Sequence, residues 1–168
     1  MTCAFNYRSL AALAFASFVV VGLSSCRTAH APGDEASNGG GQTNETTKAV
    51  RAVLDAQVAA WNRGDIDAFM SGYEQSAQTV FVSGDTLTRG WQTVLDRYKK
   101  NYDSRDKMGT LAFTDLEIKP LSEFYAVATG RFQLTRAGDT PHGRFTLIFR
   151  RTATGWRIVH DHTSAASS

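Results

Sequence analysis

The spacing of the hydrophobic residues changes once along this chain. Between residues 46 and 102, apolar side chains recur at steps of three and four, which is the period of an amphipathic helix. From residue 110 onward they alternate with polar side chains, which is the period of a β-strand. The pattern therefore predicts helices first and a sheet afterwards, the arrangement of the α+β class.

Three helices are predicted in the first part. The first begins at Thr46 or Thr47, either of which can serve as its cap, and ends just before Asp65. Its apolar stripe consists of Val50, Val53, Leu54, Val58 and Trp61. Asp65 is predicted to cap a second, shorter helix. A short strand at residues 79–83 and a turn follow, and a third helix is predicted over residues 90–102.

Four long strands are predicted in the second part. They cover residues 111–118, 124–136 and 143–152, and a terminal strand starts at Gly155. Because short turns join them, consecutive strands should pair antiparallel. Such a sheet twists and curls, and three helices cannot fill the whole of its concave side. We therefore expect a pocket between the helices and the sheet.

The terminal strand carries polar and aromatic groups on both faces. Simple alternation places one set of residues on one side, namely Trp156, Ile158, His160 and His162. It places Arg157, Val159, Asp161 and Thr163 on the other. A strand whose two faces both need partners is predicted to be central in its sheet.

The N-terminal residues indicate export. Arg8 and the apolar run from Leu10 to Val21 have the composition of a signal peptide, and the run is too short to span a bilayer. The small residues that lead into Cys26 resemble the lipobox of bacterial lipoproteins. The prediction is a signal at residues 1–25 and acylation of Cys26. The alternative is cleavage after Ala31, which gives a protein secreted to the periplasm.

The remaining boundaries follow from composition. Residues 26–45 are rich in Gly, Ser, Ala and Thr and read as a flexible tether, residues 46–164 as the folded domain, and residues 165–168 as a tail. Arg27 after the cysteine favours the outer membrane by resemblance to such lipoproteins. We thus expect a lipid-anchored envelope protein on the periplasmic side, in contact with the membrane through its lipid only.

Composition and motifs argue against several classes of partner and cofactor. The net charge is +2 and no basic stripe is present, which argues against nucleic acid. Cys3 would leave with the signal and Cys26 would carry lipid, so no disulfide is predicted. No cofactor is expected, because the glycine-rich phosphate loop is absent from the sequence, as are the cysteine nucleophile and the Gly-x-Ser-x-Gly elbow.

Three segments together carry a resemblance to a known family: residues 61–65 after the first helix, Gly90 before the third, and the terminal strand from Gly155 to Ser164. In order and spacing they resemble the nuclear transport factor 2-like superfamily, and within it the SnoaL-like group. The terminal strand is also similar to that of the calcium/calmodulin-dependent kinase II association domain. The resemblance implies a cone-shaped, cystatin-like fold, with three N-terminal helices on a strongly curved antiparallel sheet. It also implies a pocket and a homodimer through the sheet face.

Charged residues on the strands supply the first candidate site. The similarity to the association domain implies that Arg131 faces the pocket, and Asp161 has pocket-facing parity in the last strand. Arg131 and Arg144 could hold a carboxylate, while Asp161 in an apolar cavity could move protons. The alternative is an internal Arg–Asp pair that only allows both charges to be buried.

Aromatic residues and histidines supply the other candidates. Trp61, Tyr73, Trp91 and Tyr98 lie on predicted apolar helix faces, where they are core residues or line a ligand site. His160 and His162 could ligate a metal, but a third ligand is missing and the resemblance implies the outer face, so no metal is predicted.

Three functions remain open at this point. The preferred one is binding of a small acidic or polar organic ligand. The second is a proton-transfer enzyme, of the ketosteroid isomerase or hydratase kind, that uses Asp161. The third is a dimeric protein-assembly module whose contact face would consist of Phe145, Leu147, Phe149, Trp156 and the histidines. Because members of the superfamily include enzymes as well as binding and assembly domains, the fold alone does not choose among them.

Overall fold

The structure, a computed structural model, describes residues 38–166, with side chains from residue 40 onward. The predicted signal, the acylated Cys26, the tether up to residue 37 and the last two residues of the tail lie outside the described residues. Between residues 38 and 166, no helix is long and apolar enough to cross a membrane.

Helix α1 (Asn38–Asn62) begins earlier than the predicted start at Thr46. Residues 40–45 are exposed, and burial begins at Thr46. Once the packed half of a helix is formed, each added turn requires only backbone hydrogen bonds, so a polar, glycine-containing segment can continue it. Composition alone therefore misplaced the end of the tether.

Two of the following helices match the prediction. In α2 (Ile66–Met70), Asp65 is the cap, and its carboxylate accepts a hydrogen bond from the amide of Ala68 at 2.9 Å, which lowers the pKa of Asp65. Helix α3 (Trp91–Asn101) starts after Gly90 as expected. The short helix α4 (Arg105–Met108) was not predicted, because four residues are too few to show a period.

Six strands form one sheet. They are β1 (Val80–Ser83), β2 (Thr86–Arg89), β3 (Thr110–Pro120), β4 (Tyr125–Thr135), β5 (His142–Thr152) and β6 (Gly155–Ala165). Their order is β2-β1-β6-β5-β4-β3, and every pair is antiparallel except β1 with β6, which is parallel. The predicted α+β fold is confirmed, and β6 lies inside the sheet rather than at its edge.

Helix α1 runs antiparallel to β3. The Asn62 side chain donates to the carbonyl of Leu111 at 3.0 Å and accepts from its amide at 2.7 Å, while the indole of Trp61 donates to the Met108 carbonyl at 3.1 Å. These bonds attach the end of α1 to the start of β3. The apolar stripe of α1, including the fully buried Val50 and Leu54, then covers the inner face of the sheet.

A β-bulge in β6 changes the parity that the sequence predicts. Phe149 pairs with Ile158 and Ile148 pairs with His160, so Val159 has no partner on β5. One extra residue shifts every later side chain to the opposite face. Trp156 and Ile158 therefore share the inner face with Asp161, whereas simple alternation separates them.

The predicted assembly face is consequently wrong for its four apolar residues. Phe145, Leu147, Phe149 and Trp156 are buried in the core beneath the helices. Residues of the opposite parity on β4 and β5 form the outer face instead, among them Arg131, which pairs with Arg144. Any partner that docks on the sheet would meet this more polar surface.

Candidate functional site

A cavity of about 220 Å³ lies between the helices and the inner face of the sheet. Nine aromatic residues line it: Trp61, Phe69, Tyr73, Phe81, Tyr98, Tyr102, Phe113, Phe132 and Phe145. Lining residues that remain partly exposed, such as Asn101, Pro141 and Ala165, mark the mouth. The mouth therefore lies where α3, β4 and β6 end and β5 begins.

The carboxylate of Asp161, which is 3% exposed, is the buried acidic group of this cavity. The Tyr73 hydroxyl donates to its Oδ2 at 2.6 Å, and the Thr163 hydroxyl donates to its Oδ1 at 2.6 Å. Within the described residues no lysine or arginine forms an ion pair with it. The alternative of an internal Arg–Asp pair is therefore wrong, because the two hydroxyl groups bind the carboxylate in place of an arginine.

Backbone pairing positions the tyrosine. Tyr73 forms an isolated parallel bridge with Ile158, and two hydrogen bonds of 2.9 Å reinforce it, from Ile158 N to the Gly72 carbonyl and from Glu74 N to the Ile158 carbonyl. The segment after α2 thus joins β6 next to its bulge. Tyr73 and Asp161 meet because both are attached to the same strand.

Burial dominates the electrostatics of the site. Loss of solvent raises the pKa of Asp161 to about 6, although the hydrogen bonds from Thr163 and Tyr73 and the nearby His162 act in the opposite direction. Burial also raises the pKa of Tyr73 and of Tyr98, and the charge of Asp161 adds to both effects. The two phenols therefore remain protonated, while the carboxyl can change state near neutral pH.

Ring contacts hold the walls in place. The Trp61 ring meets Tyr102 edge-on at 4.7 Å and Phe69 at 5.1 Å between centroids. Tyr98 lies 5.3 Å from Phe69. Rings packed against one another in this way are confined to their rotamers. The cavity therefore has a defined shape that an incoming ligand cannot easily widen.

Two arginines supply positive charge to the cavity wall. Arg97 lies over the Phe81 ring at 5.1 Å from its centroid and donates to the Thr88 hydroxyl at 3.4 Å. In Arg136, Nη1 is 3.7 Å from an oxygen of Asp139, while Nε is buried and has no hydrogen-bond partner among the described residues. The Arg136 side chain is nevertheless 24% exposed and lines the cavity, so its guanidinium can meet a ligand oxygen there.

The structure separates the predicted site residues into two groups. Trp61, Tyr73, Tyr98 and Asp161 line the cavity. Trp91 does not, because its indole turns to the end of α2 and donates to the Met70 carbonyl at 3.0 Å. The roles predicted for the lining residues stay predictions.

The predicted positions of Arg131 and Arg144 are wrong. Arg131 pairs with Arg144 across β4 and β5, whereas the inner face at this point consists of Gly130 and Phe145. Alternation requires both guanidinium groups to leave the sheet on the other side. The similarity to the association domain suggested the opposite and was misleading for this residue.

Arg136 could have been found from the sequence. It has the same parity as Ala126, Ala128 and Leu134, so the alternation of β4, continued past its end, points it into the cavity. Arg97 directly precedes Tyr98 at the border of the apolar stripe of α3, and Thr163 follows Asp161 at a step of two. Only the contact between Asp161 and Tyr73 had no signal, since it depends on the bulge.

The histidines lie outside the cavity. His160 and His162 pair with Val80 and Val82 of β1 on the outer parity, and His142 is exposed near the start of β5. Across residues 38–166, no group of three or more His, Cys, Asp or Glu side chains is placed to hold a metal ion.

Comparison with known families supports the architecture. The model of the SnoaL-like domain matches residues 50–168. The chain belongs to the SnoaL-like family. Comparison with curated proteins gives no match.

Solved structures agree with the assignment. An NTF-2-like protein of unknown function from Shewanella oneidensis MR-1 is 43% identical, with a TM-score of 0.68, and the match covers 70% of this chain and 98% of that one. A ketosteroid isomerase-like protein from Erwinia carotovora atroseptica is 21% identical, with a TM-score of 0.61, and covers 74% and 99%. A cystatin-like domain of unknown function from Nostoc punctiforme is 17% identical, with a TM-score of 0.63, and covers 75% and 80%. The last two show the shared fold alone.

The raised pKa of Asp161 predicts how stability depends on pH. Between its ordinary value of 3.8 and about 6, the folded protein binds the proton more tightly than the unfolded chain, so this residue's contribution to stability falls as pH rises. From about pH 4 to about pH 7, urea denaturation should show wild type losing roughly 2 kcal/mol relative to Asp161→Asn. The exposed Asp85→Asn should follow wild type, and parallel profiles for wild type and Asp161→Asn would contradict the burial effect.

Proposed function

We propose that this protein binds a small organic acid with an apolar body in the cavity. The cavity has a positively charged part and a negatively charged part, and this arrangement supports such a ligand. Arg97 and Arg136 attract an anionic group, whereas the Asp161 carboxylate repels one and accepts a hydrogen bond from a donor. A ligand that fits both is a carboxylate with a hydroxyl or amine at its far side.

The shape of the cavity limits the size of that ligand. Its volume of about 220 Å³ corresponds to about seven water molecules in the liquid and lies below the roughly 300 Å³ at which drug-sized sites begin. The ring-lined walls favour an apolar body over a sugar or a peptide. We therefore propose a compact ligand, with one ring or a short branched chain.

The position of the Arg136 guanidinium in the cavity wall is the observation that carries this proposal, and it predicts a binding defect. Charge-assisted hydrogen bonds contribute about 1.5–3 kcal/mol, so Arg136→Gln should weaken binding of a carboxylate about 10- to 100-fold. Isothermal titration calorimetry with 4-hydroxybenzoate and related cyclic acids measures this. The matched variant is Arg131→Gln, a change on the outer face that should leave affinity unchanged. Equal loss in both variants, or no binding of any acid to wild type, would refute the proposal.

Proton transfer is a second candidate, favoured by the environment of Asp161. Its carboxyl faces an apolar cavity, has no arginine partner among the described residues, and has a pKa raised to about 6, which suits a general base near neutral pH. The phenol of Tyr98, which lines the same cavity, stays protonated and could donate to a substrate carbonyl. The reaction class would be removal of a proton next to a carbonyl group.

This candidate predicts catalysed exchange of carbon-bound hydrogen. A cyclic ketone in heavy water should exchange its α-hydrogens in the presence of the protein, with a rate that rises with pH up to about 6 and then levels off, because the ionised carboxylate is the base. Asp161→Asn should lower that rate by about 100-fold or more, the usual contribution of a general base. If the variant binds ligand yet exchanges at the wild-type rate, Asp161 is no base.

The location and assembly predicted from the sequence complete the proposal. We propose that the domain acts at the bacterial envelope, attached through an acylated Cys26, and that two copies pair through the outer face of the sheet. Incorporation of labelled palmitate by wild type and its loss in Cys26→Ser would support the anchor. Equal labelling of both would dismiss it. A single mass of one chain in sedimentation equilibrium would dismiss the pairing.

A further inference from the structure

The turn between β3 and β4 exposes an unusual group of apolar side chains. Leu121 is 59% exposed, Phe124 is 53% exposed and Tyr125 is 42% exposed. We call residues 121–125 the hairpin tip. The only other large hydrophobic residue of similar exposure in the described part of the chain is Leu87, which stands alone on β2.

Hydrogen bonds give the hairpin tip a defined shape. The Ser122 hydroxyl accepts from the amides of Phe124 at 3.2 Å and Tyr125 at 3.1 Å. The Leu121 amide donates to the Tyr125 carbonyl at 2.9 Å, and the Arg151 amide donates to the Phe124 carbonyl at 2.8 Å. An ordered turn therefore holds the apolar side chains outward. Their exposure to water is unfavourable in free energy.

Charged groups surround these side chains. Lys119 and Arg151 are exposed on either side, and Glu123 is the acidic residue within the tip. Arg150 nearby forms an ion pair with Glu74 and is less available. Aromatic and aliphatic side chains flanked by lysine and arginine fit the headgroup region of a bilayer, where rings lie at the interface and cations meet lipid phosphates.

The position of the hairpin tip in the fold matches the predicted anchor. Because α1 runs antiparallel to β3 and ends at Leu111, the beginning of α1 lies toward the far end of β3, where the hairpin tip is located. The segment that precedes α1 leads to Cys26. The cavity mouth, at Asn101 and Ala165, lies at the opposite end of the strands.

We propose that the hairpin tip contacts the lipid bilayer at headgroup level and holds the domain with its cavity mouth directed away from the membrane. The sequence predicts that the protein contacts the membrane through its lipid alone, and the hairpin tip adds a second point of contact. Three side chains are too few for a stable interface with another protein, which needs about 800 Å² on each partner. They suffice if the domain is anchored as proposed, because attachment at Cys26 would keep them near the surface at high effective concentration, and the inference rests on that anchor. The proposal is independent of what the cavity binds.

The test uses the compact unit of residues 34–168, attached to vesicles by an N-terminal hexahistidine tag on a nickel-chelating lipid. The Shewanella relative consists almost wholly of this domain, with 98% of its chain covered, so the domain folds without a preceding segment. The unit contains no cysteine. Phe124→Cys, Leu87→Cys and Asp139→Cys then place one fluorophore at the hairpin tip, on β2 and beside the cavity mouth, in vesicles of phosphatidylethanolamine and phosphatidylglycerol with or without brominated chains.

We expect brominated lipid to quench the probe at position 124 and to leave those at positions 87 and 139 unchanged. Adding Leu121→Ser should reduce quenching at position 124, with circular dichroism confirming that the fold persists. Equal quenching at all three positions, or none at any, would overturn the proposal. A change at position 124 that follows protein density on the vesicle and ignores bromination would assign the hairpin tip to a second copy instead.

Discussion

A carboxylate that is buried with no cationic partner in the part of the chain that the structure describes is the constraint on which the site depends. Asp161 can stay in an apolar interior only because Tyr73 and Thr163 donate to its two oxygens at 2.6 Å. One of those donors comes from the segment after α2 and the other from β6 itself, so the hydrogen bonds also join the helical layer to the sheet. Removing a donor would therefore affect the chemistry of the carboxyl and the packing of the layers together.

Periodicity was enough to predict the α+β class, and the resemblance to a known family supplied the cone-shaped fold. The apolar stripe of α1 and the alternation in β3, β4 and β5 are long signals, and each is decided by burial on one face. The same signals located the cavity, since helices of this length cannot cover so large a curved sheet. Prediction failed where no period exists: at the exposed start of α1, where backbone bonding alone extends the helix, and at the four-residue α4.

The arginines show the limit of arguing from similarity. Alternation along β4 puts Arg136 inside and Arg131 outside, and the structure agrees with alternation. The similarity to another domain had suggested a pocket-facing Arg131, but a shared fold does not preserve which strand position carries a charge. In β6 the situation is reversed. There the bulge defeats alternation for Trp156 and Ile158, and only coordinates reveal that they share a face with Asp161.

That bulge also gives β6 two independent halves. Ahead of Val159, the inward side chains of Trp156 and Ile158 are packed core that tolerates little change. Beyond it, the inward positions of Asp161 and Thr163 border the cavity, so the side chains at these positions meet any ligand as well as their neighbours. These two positions therefore determine the chemistry of the cavity wall, whereas Trp156 and Ile158 determine the packing beneath the helices. One unpaired residue thus separates a packed half of the strand from a cavity-facing half. A bulge of this kind is one way in which a single architecture can support many activities.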